Sequence, residues 1–359
     1  MRSSTIVFAT LLFGGLAENV YAQPIQALSF QHAEWELYCS NTGTCQAAGY
    51  QSDDGESLPV SILLRRQAGA KQSVQAEFAL GSDYGETLQY SKLKNIHFYI
   101  NNKDLGRIEV DGDEAPLMGV LNTQQQNALL QQANQSVKIE FKNSDYAWRV
   151  SDQGMTAVLL KMDDFQKRVG TKAALVKKGP ADESKVLAAQ AKIVVKKVKT
   201  AEQAYLTIQP DAKQYKALHN KLMAARPKQQ DGYDACEGIY DGGEPKSQAI
   251  DLYTLSNNKV LATTLCWRGA YNEGYGAWVL DRSLSGKVTY VTEMASDIGS
   301  GEIYASQKGR GIGDCWSMNQ WIWDGQNFVH TIDRWTGMCK ALAAGGVWNL
   351  DKIEAVVRQ

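Results

Sequence analysis

Aromatic side chains concentrate in the last third of the chain, where they could form a binding surface. Seven of the nine tryptophans lie after residue 230, and Trp316 and Trp335 stand beside loops that contain a cysteine. Two glycine-rich loops add Tyr271, Tyr275 and Arg310. Flat aromatic rings stack on sugars or peptides at a low cost in rotamer entropy. These five residues predict non-catalytic binding of a glycan, of peptidoglycan or of a protein partner.

The same tryptophans could instead form a β-sheet core. Trp321 and Trp323 are two residues apart on a predicted strand, so their side chains share one face of the sheet. A shared aromatic face suits a hydrophobic core as well as a platform for ligands, and aromatic cores are common. For this pair the sequence favours the core.

A serine and a lysine in the C-terminal third suggest a different kind of surface. Ser300, Gly301 and Tyr304 fit the pattern Ser-Gly-x-x-Tyr, and Lys308 follows. The pattern resembles the loop with which inhibitors of C-type lysozyme insert a serine and a lysine into the enzyme's cleft. This resemblance implies an inhibitor of a wall-degrading enzyme as the alternative function. For such a short motif the sequence favours an ordinary surface loop.

Catalytic and metal-binding patterns are weak throughout the sequence. Glu273 and Asp314 could serve a carboxylate-dependent hydrolase, a third and weaker hypothesis. The four histidines show no spacing typical of a catalytic base, and Cys-x2-Cys and His-x3-His spacings are missing. The net charge of −1 gives no electrostatic reason to bind nucleic acid. The sequence therefore predicts no metal and no cofactor, and it favours a protein that is not an enzyme.

These candidate residues belong to a mainly β protein with some α structure. Residues 23–170 alternate apolar and polar positions between turns, which predicts an antiparallel β domain. Among its predicted hairpins, the strands 96–100 and 107–110 flank a turn at 101–104. A short helix starts near Asn122 or Thr123, and apolar residues at helical spacing predict a second helix over 155–169.

The middle of the chain is strongly basic. Residues 161–230 contain 16 Lys or Arg and 6 Asp or Glu. Segment 171–230 is predicted to be a Lys- and Ala-rich helical connector, with a helix over 211–225 that ends before Pro227. A surface for anionic polymers is the other interpretation of this charge.

Residues 231–359 return to β structure. Three successive hairpins predict a second antiparallel domain, a sandwich or a barrel, and Asp324-Gly325 gives the strongest turn signal. Six cysteines in an exported chain predict disulfides. The turn between Cys39 and Cys45 favours one bond, and the last four cysteines allow three pairings, of which the neighbouring ones are favoured: Cys236–Cys266 and Cys315–Cys339.

The first 22 residues are typical of a cleaved secretory signal. Arg2 precedes an apolar run at 6–17, and Val20-Tyr21-Ala22 provides a cleavage site of the small-residue type. This run is too short to span a bilayer, and no later stretch approaches that length. The mature chain is expected to lie outside the cytoplasm, without a transmembrane segment.

Four sequence patterns together resemble a Gram-negative exported family that is defined only as a domain of unknown function, the 1176 family. They are Trp35-x3-Cys39-x5-Cys45-x3-Gly49-Tyr50, the run 162–171 with 174–176, the run 266–276, and the run 310–315 with 323–325. The first half also resembles, more weakly, the invasion-associated locus B proteins. The first resemblance implies a periplasmic protein of unknown role and brings no catalytic mechanism. The second implies association with the envelope or a host surface.

Overall fold

Strands dominate the architecture, as the sequence predicts. A computed structural model describes residues 24–82, 88–89, 92–112, 114–227, 236, 239–241 and 244–359. The predicted signal segment 1–22 lies outside the described residues. Within them the chain has three helices and 24 strands, which form several antiparallel sheets and one parallel pair. None of these helices combines the length and the apolar character needed to cross a membrane.

The N-terminal half is a sandwich of two antiparallel sheets. A six-stranded sheet in the order β1-β2-β3-β4-β5-β8 faces a four-stranded sheet in the order β10-β9-β6-β7, and Phe78 of the first sheet packs against Phe141 of the second at 5.0 Å between ring centroids. The strands are β1 Leu28–His32, β2 Trp35–Cys39, β3 Cys45–Tyr50, β4 Val60–Arg66, β5 Val74–Leu80, β6 His97–Ile100, β7 Lys103–Arg107, β8 Leu117–Val120, β9 Ile139–Lys142 and β10 Ala147–Val150.

One predicted hairpin turn is shorter than the sequence suggests. Strand β7 begins at Lys103, so the four-residue turn predicted at 101–104 is wrong. Asn101 and Asn102 alone form the turn, both with positive φ. Asparagine tolerates this left-handed conformation, and such two-residue turns match the twist of the paired strands.

Both predicted helices of this half are present. Helix α1 (Thr123–Leu130) starts after Asn122, whose side chain and that of Gln125 form a capping box. Helix α2 (Met155–Phe165) buries the predicted apolar face. It ends four residues earlier than predicted because Lys167 adopts a left-handed conformation and the Arg168 amide donates to Asp163 O, as in a Schellman motif.

The basic segment is mostly irregular, which corrects the prediction of a helical connector. Among its described residues, 171–227, only α3 (Tyr215–Ala224) is helical, close to the predicted 211–225. Two short strands, β11 (Ile193–Lys196) and β12 (Leu206–Ile208), precede it, and β11 pairs in parallel with β24 (Ala355–Arg358). Valines between the lysines favour a strand because β-branched side chains fit a pleated surface.

The C-terminal half is a second sandwich, and its sheets do not close into a barrel. One sheet has the order β12-β15-β16-β17-β18 and the other β19-β20-β21-β22-β23, and Leu261 and Val279 of the first pack with Ile303 and Trp323 of the second. The strands are β13 Ile239–Asp241, β14 Glu244–Lys246, β15 Ile250–Thr254, β16 Lys259–Arg268, β17 Glu273–Asp281, β18 Thr289–Ala295, β19 Asp297–Gly299, β20 Glu302–Lys308, β21 Trp316–Trp323, β22 Phe328–Trp335 and β23 Leu350–Asp351.

The two halves contact each other directly. The outer face of the six-stranded sheet presents Tyr50 and Leu63, which pack against Trp348 and Leu350. Trp348 Nε1 donates a hydrogen bond of 2.8 Å to Ser61 Oγ across this contact. A sheet that could have been solvated on one side is therefore covered on both faces.

Three disulfides join the favoured cysteine pairs. The bonds are Cys39–Cys45, Cys236–Cys266 and Cys315–Cys339, and no described cysteine is free. They close chain segments of 6, 30 and 24 residues. The third bond fixes two loops of the C-terminal half to each other, next to the contact between the halves.

Candidate functional site

The Cys315–Cys339 bond lies at the centre of a surface that we call the disulfide platform. It consists of residues 308–316 and 335–341 together with Tyr271 and Asn272. The platform contains four of the five residues predicted to bind a ligand, Tyr271, Arg310, Trp316 and Trp335, and it also contains Lys308. Tyr275 does not belong to it: this side chain is half-buried on β17 and packs against the core of the C-terminal sandwich.

Glycine allows the backbone to approach the disulfide closely. A Cβ atom on Gly309 would lie 2.6 Å from Cys315 Sγ and 3.0 Å from the Trp335 ring, so a larger residue would not fit without a shift. Gly313 has a φ of +71°, and its amide closes a turn onto Arg310 O at 3.0 Å. The glycine-rich sequence is thus explained by packing and turn geometry.

A side-chain amide ties the loop of Tyr271 to the rest of the platform. Asn272 Nδ2 donates to Lys308 O, and the Lys308 amide donates to Asn272 Oδ1, both at 2.9 Å. The Tyr271 ring then lies beside Gly311, where an added Cβ would stand 3.7 Å from the ring. The hydrogen bonds of Asn272 hold the backbone next to Tyr271, and the Tyr271 side chain remains 48% exposed.

The exposed face of the platform combines aromatic rings with cations. Lys308 Nζ stands 5.4 Å from the centroid of the Trp316 ring, and Trp316 Nε1 donates to Gly313 O at 2.8 Å. The side chain of Arg310 is 43% exposed. Trp335 is half-buried.

Asp314 is a structural carboxylate and is unsuited to proton transfer. Arg310 binds it through two hydrogen bonds of 2.8 and 2.6 Å, and the Ala341 amide donates to it at 2.6 Å. Burial alone raises the pKa of Asp314, but these hydrogen bonds outweigh burial and hold the pKa below its ordinary value. Its carboxylate lies within 4.8 Å of both platform sulfurs, which are bonded to each other and offer no thiolate to a metal.

The other residue of the hydrolase hypothesis is also engaged in an ion pair. Glu273 Oε2 stands 2.8 Å from Arg268 Nη2 at a partly exposed position of the β16–β17 hairpin. Neither Glu273 nor Asp314 therefore presents an unpaired carboxylate to a substrate.

The residues of the inhibitor-like pattern do not come together. Ser300 and Gly301, both with positive φ, form the turn between β19 and β20, whereas Lys308 ends β20. Along a strand this separation is roughly 20 Å. Tyr304 lies between them and accepts a hydrogen bond from Gln320. Such a distance argues against the entry of Ser300 and Lys308 into one enzyme cleft.

Trp321 and Trp323, two residues apart on β21, differ in how deeply they are buried. Trp323 is fully buried and donates to Ser256 Oγ at 2.8 Å, so it belongs to the core that the sequence favoured. Trp321 is half-buried, and its ring stacks on His330 at 4.6 Å between centroids. Both residues follow a bulge between Gln320 and Trp321, and both pack against the core of the C-terminal sandwich, as their shared face predicts.

A polar cavity borders the platform at the contact between the halves, and no sequence pattern predicts it. This junction cavity has a volume of about 500 Å³. Lys340 Nζ bridges Glu34 and Asp53 across it, at 2.5 and 2.6 Å. It is lined by Gln31, Ala33, Glu34, Glu36, Tyr38, Asp53, Trp335, Met338, Cys339 and Lys340. Clefts between packed units are frequent ligand sites.

Glu36 is the most perturbed acid of this cavity. Only 2% of it is exposed, and it accepts hydrogen bonds from Tyr50 Oη at 2.6 Å and from the Met338 amide at 3.0 Å. Burial raises the pKa of Glu36 to about 7, and the hydrogen bonds oppose that rise only in part. In the alternating pattern of β2, Glu36 occupies an outward position. Glu36 is buried because the C-terminal loop that contains Met338 covers this face of the sheet.

Glu36 is expected to make the stability of the protein depend on pH. Between its ordinary pKa near 4.5 and its folded pKa of about 7, the folded state keeps a proton that the unfolded state loses. This contribution to stability is complete below pH 4.5, falls as the pH rises and is lost above about 7. Urea denaturation midpoints measured from pH 5 to pH 8 test the effect. In Glu36→Gln this slope should be absent, whereas the exposed Glu109→Gln should keep it.

Two comparisons with known proteins cover nearly the whole chain. A family model described as "Protein of unknown function (DUF1176)" matches residues 29–353. This chain belongs to the DUF1176 family. The Escherichia coli K12 protein named "Uncharacterized protein YpfG" is 24% identical over 367 aligned positions, which cover 92% of this chain and 96% of that protein. No solved structure matches.

The sequence patterns that carry the family resemblance fall into two structural groups. The Trp35 to Tyr50 pattern and the 162–171 run lie in the N-terminal half, where Trp35, Tyr50 and Arg168 are fully buried. The 266–276 and 310–315 runs instead contribute much of the disulfide platform. Residues of two of these patterns therefore lie together on the disulfide platform.

Proposed function

We propose that this protein is exported to the periplasm of a Gram-negative cell and binds the glycan strands of peptidoglycan without catalysis, through the disulfide platform. One observation carries the proposal: Tyr271, Trp316 and Arg310 lie together, partly exposed, on loops that a disulfide holds in place. The signal-like N terminus and the three disulfides support an oxidising compartment outside the cytoplasm.

Preorganised aromatic rings suit sugar binding. A pyranose ring presents an apolar face that can stack on Tyr271, and its hydroxyl groups can accept hydrogen bonds from Arg310 and Lys308. Because the Asn272 and Asp314 contacts already fix these loops, binding would order few additional side chains. The carboxylates near the platform are engaged with cations, which supports binding over hydrolysis.

Replacement of Tyr271 by alanine is expected to weaken binding to peptidoglycan sacculi about five- to tenfold. The loss corresponds to the removal of one exposed stacking partner, worth roughly 1 kcal/mol. Co-sedimentation of the oxidised protein with purified sacculi, at low and at raised salt, measures the bound fraction. Stacking on the platform should persist at raised salt, whereas binding through the Lys-rich segment 171–230 should be lost.

Tyr205 provides a matched control. It is also an exposed tyrosine, at 44%, but it lies just before β12, outside the platform, with Arg282 at 5.4 Å from its ring. Tyr205→Ala should pellet like the unmodified protein. Equal binding by Tyr271→Ala and Tyr205→Ala would remove the platform from the proposal, and no pelleting at either salt would reject peptidoglycan as the ligand.

A further inference from the structure

A second polar cavity lies between the two sheets of the C-terminal sandwich. It has a volume of about 330 Å³ and opens at the end where β21 and β22 are joined, opposite the disulfide platform. We call it the sandwich-end cavity. It is lined by Lys259, Val279, Asp281, Lys287, Thr289, Tyr290, Val291, Trp321, Gln326, Asn327, Phe328 and His330. A pocket of this size fits one sugar residue or a molecule of similar bulk.

One wall of the sandwich-end cavity is aromatic and fixed in position. Trp321 and His330 face each other in register on β21 and β22, with their rings inclined by only 10°. His330 Nε2 lies within hydrogen-bond distance of Asn319 Oδ1, at 3.0 Å, which holds the imidazole in place. Phe328 extends the same wall. Trp321 is half-buried, nearer the open end of the sheet than Trp316, whereas Trp323 is fully buried.

The turn at the mouth of the cavity supplies free amide groups. Asp324 Oδ1 accepts the backbone amides of Gln326 and Asn327, both at 2.7 Å, so the turn itself is well ordered. Within the described part of the chain, the side-chain amides of Gln326 and Asn327 have no protein partner. Both side chains line the cavity and can therefore donate to and accept from a ligand.

The charges of the cavity favour an anionic ligand. Lys259 Nζ is neutralised by Asp281 at 2.7 Å. Lys287 also lines the cavity; it is exposed and has no ion-pair or hydrogen-bond partner among the described residues. One lysine at the mouth thus remains available to a negative group, and a charge-assisted hydrogen bond is about twice as strong as a neutral one.

We propose that the sandwich-end cavity binds a sugar residue that carries a carboxylate. The sugar ring would stack on the wall formed by Trp321, its hydroxyl groups would bond to Gln326 and Asn327, and its carboxylate would pair with Lys287. This site is separate from the disulfide platform, because Trp316 and Trp321 are five residues apart along β21, a distance of roughly 17 Å. It goes beyond the proposed function and does not depend on it.

Isothermal titration of the full mature chain with small sugars tests the site. N-acetylmuramic acid and glucuronic acid both carry the required carboxylate, and N-acetylglucosamine is the neutral comparison. We expect one or both acids to bind at least fivefold more tightly than the neutral sugar. The preferred acid indicates whether the carboxylate comes from a wall-type muramic acid or from a uronic acid. Equal binding of the neutral sugar, or no binding of either acid, would overturn the proposal.

Two lysine variants test whether the acidic sugar binds in the sandwich-end cavity. Lys287→Met should weaken binding of the acid about five- to tenfold and leave the neutral sugar unaffected. Lys185→Met, at an exposed lysine outside this cavity, should leave the affinities unchanged. If Lys287→Met binds the acid like the unmodified protein, this cavity is not the site. Tyr271→Ala separates the two proposals: it should reduce pelleting with sacculi but leave these titrations unchanged.

Discussion

Replacement of Asp163 by alanine is expected to lower the free energy of unfolding by about 3–5 kcal/mol, the usual cost of removing one partner from a buried ion pair. Asp163 is fully buried, and its Oδ2 accepts the amides of Leu175 and Val176 at 2.6 and 3.0 Å. Its Oδ1 lies 3.7 Å from Arg66 Nη1. Without the carboxylate, two buried amides lose their acceptor and a buried guanidinium loses its counter-charge.

The effect should extend along the chain because Asp163 belongs to a larger network. Arg168 is fully buried, pairs with Glu183 and donates to Gly69 O at 2.6 Å. These contacts attach the segment after α2 to the first sandwich. Asp163→Asn keeps an acceptor for the two amides but loses the charge, so its destabilisation should be smaller than that of Asp163→Ala.

The adjacent aspartate gives a close control. The Asp164 side chain is 64% exposed and pairs with Lys161 at 3.1 Å on the surface of α2, an interaction worth at most about 0.5 kcal/mol. Guanidinium denaturation at pH 7 measures the free energy of unfolding of Asp163→Ala and of Asp164→Ala. Destabilisation of the two variants within about 1 kcal/mol of each other would show that this network adds little to stability.

Local sequence signals were sufficient for most of the hairpins. Asp324-Gly325 marks the β21–β22 turn, and Asn122 marks the start of α1, because each residue acts on the backbone within three positions of itself. The connector is different: its Lys and Ala content suggested a helix, but β11 pairs with β24, about 160 residues away, and this partner cannot be read from composition.

The candidate site was predicted in part for the same reason. Tyr271, Arg310 and Trp316 could be identified because glycine and cysteine mark exposed, constrained loops in the sequence itself. Glu36 and Lys340 could not, since their burial depends on the C-terminal loop that covers a sheet of the other half. Tyr275 shows the reverse error: a tyrosine in a glycine-rich run looks exposed, yet the run continues into β17 and packs against a core.

Replacement of both Cys315 and Cys339 by serine is expected to cost stability and to abolish the proposed binding. A disulfide that closes a segment of 24 residues stabilises the folded state by about 3 kcal/mol through the entropy of the unfolded chain. The same bond fixes residues 308–316 against 335–341. Release of these loops would let Tyr271, Arg310 and Trp316 move independently, so a ligand would have to order them at the cost of affinity.

Removal of the Cys39–Cys45 bond is a control that separates the loss of stability from the loss of binding. This bond closes a segment of only 6 residues within the β2–β3 hairpin, away from the platform, and its removal should cost about 2 kcal/mol. Urea denaturation measures the stability of the two double variants, and co-sedimentation with sacculi measures their binding. Both experiments are done below the unfolding temperature of the variants. The Cys39→Ser/Cys45→Ser variant should still pellet, whereas the platform variant should stay in solution. Pelleting of the folded platform variant at the level of the unmodified protein would mean that rigidity of these loops is not what creates the binding surface.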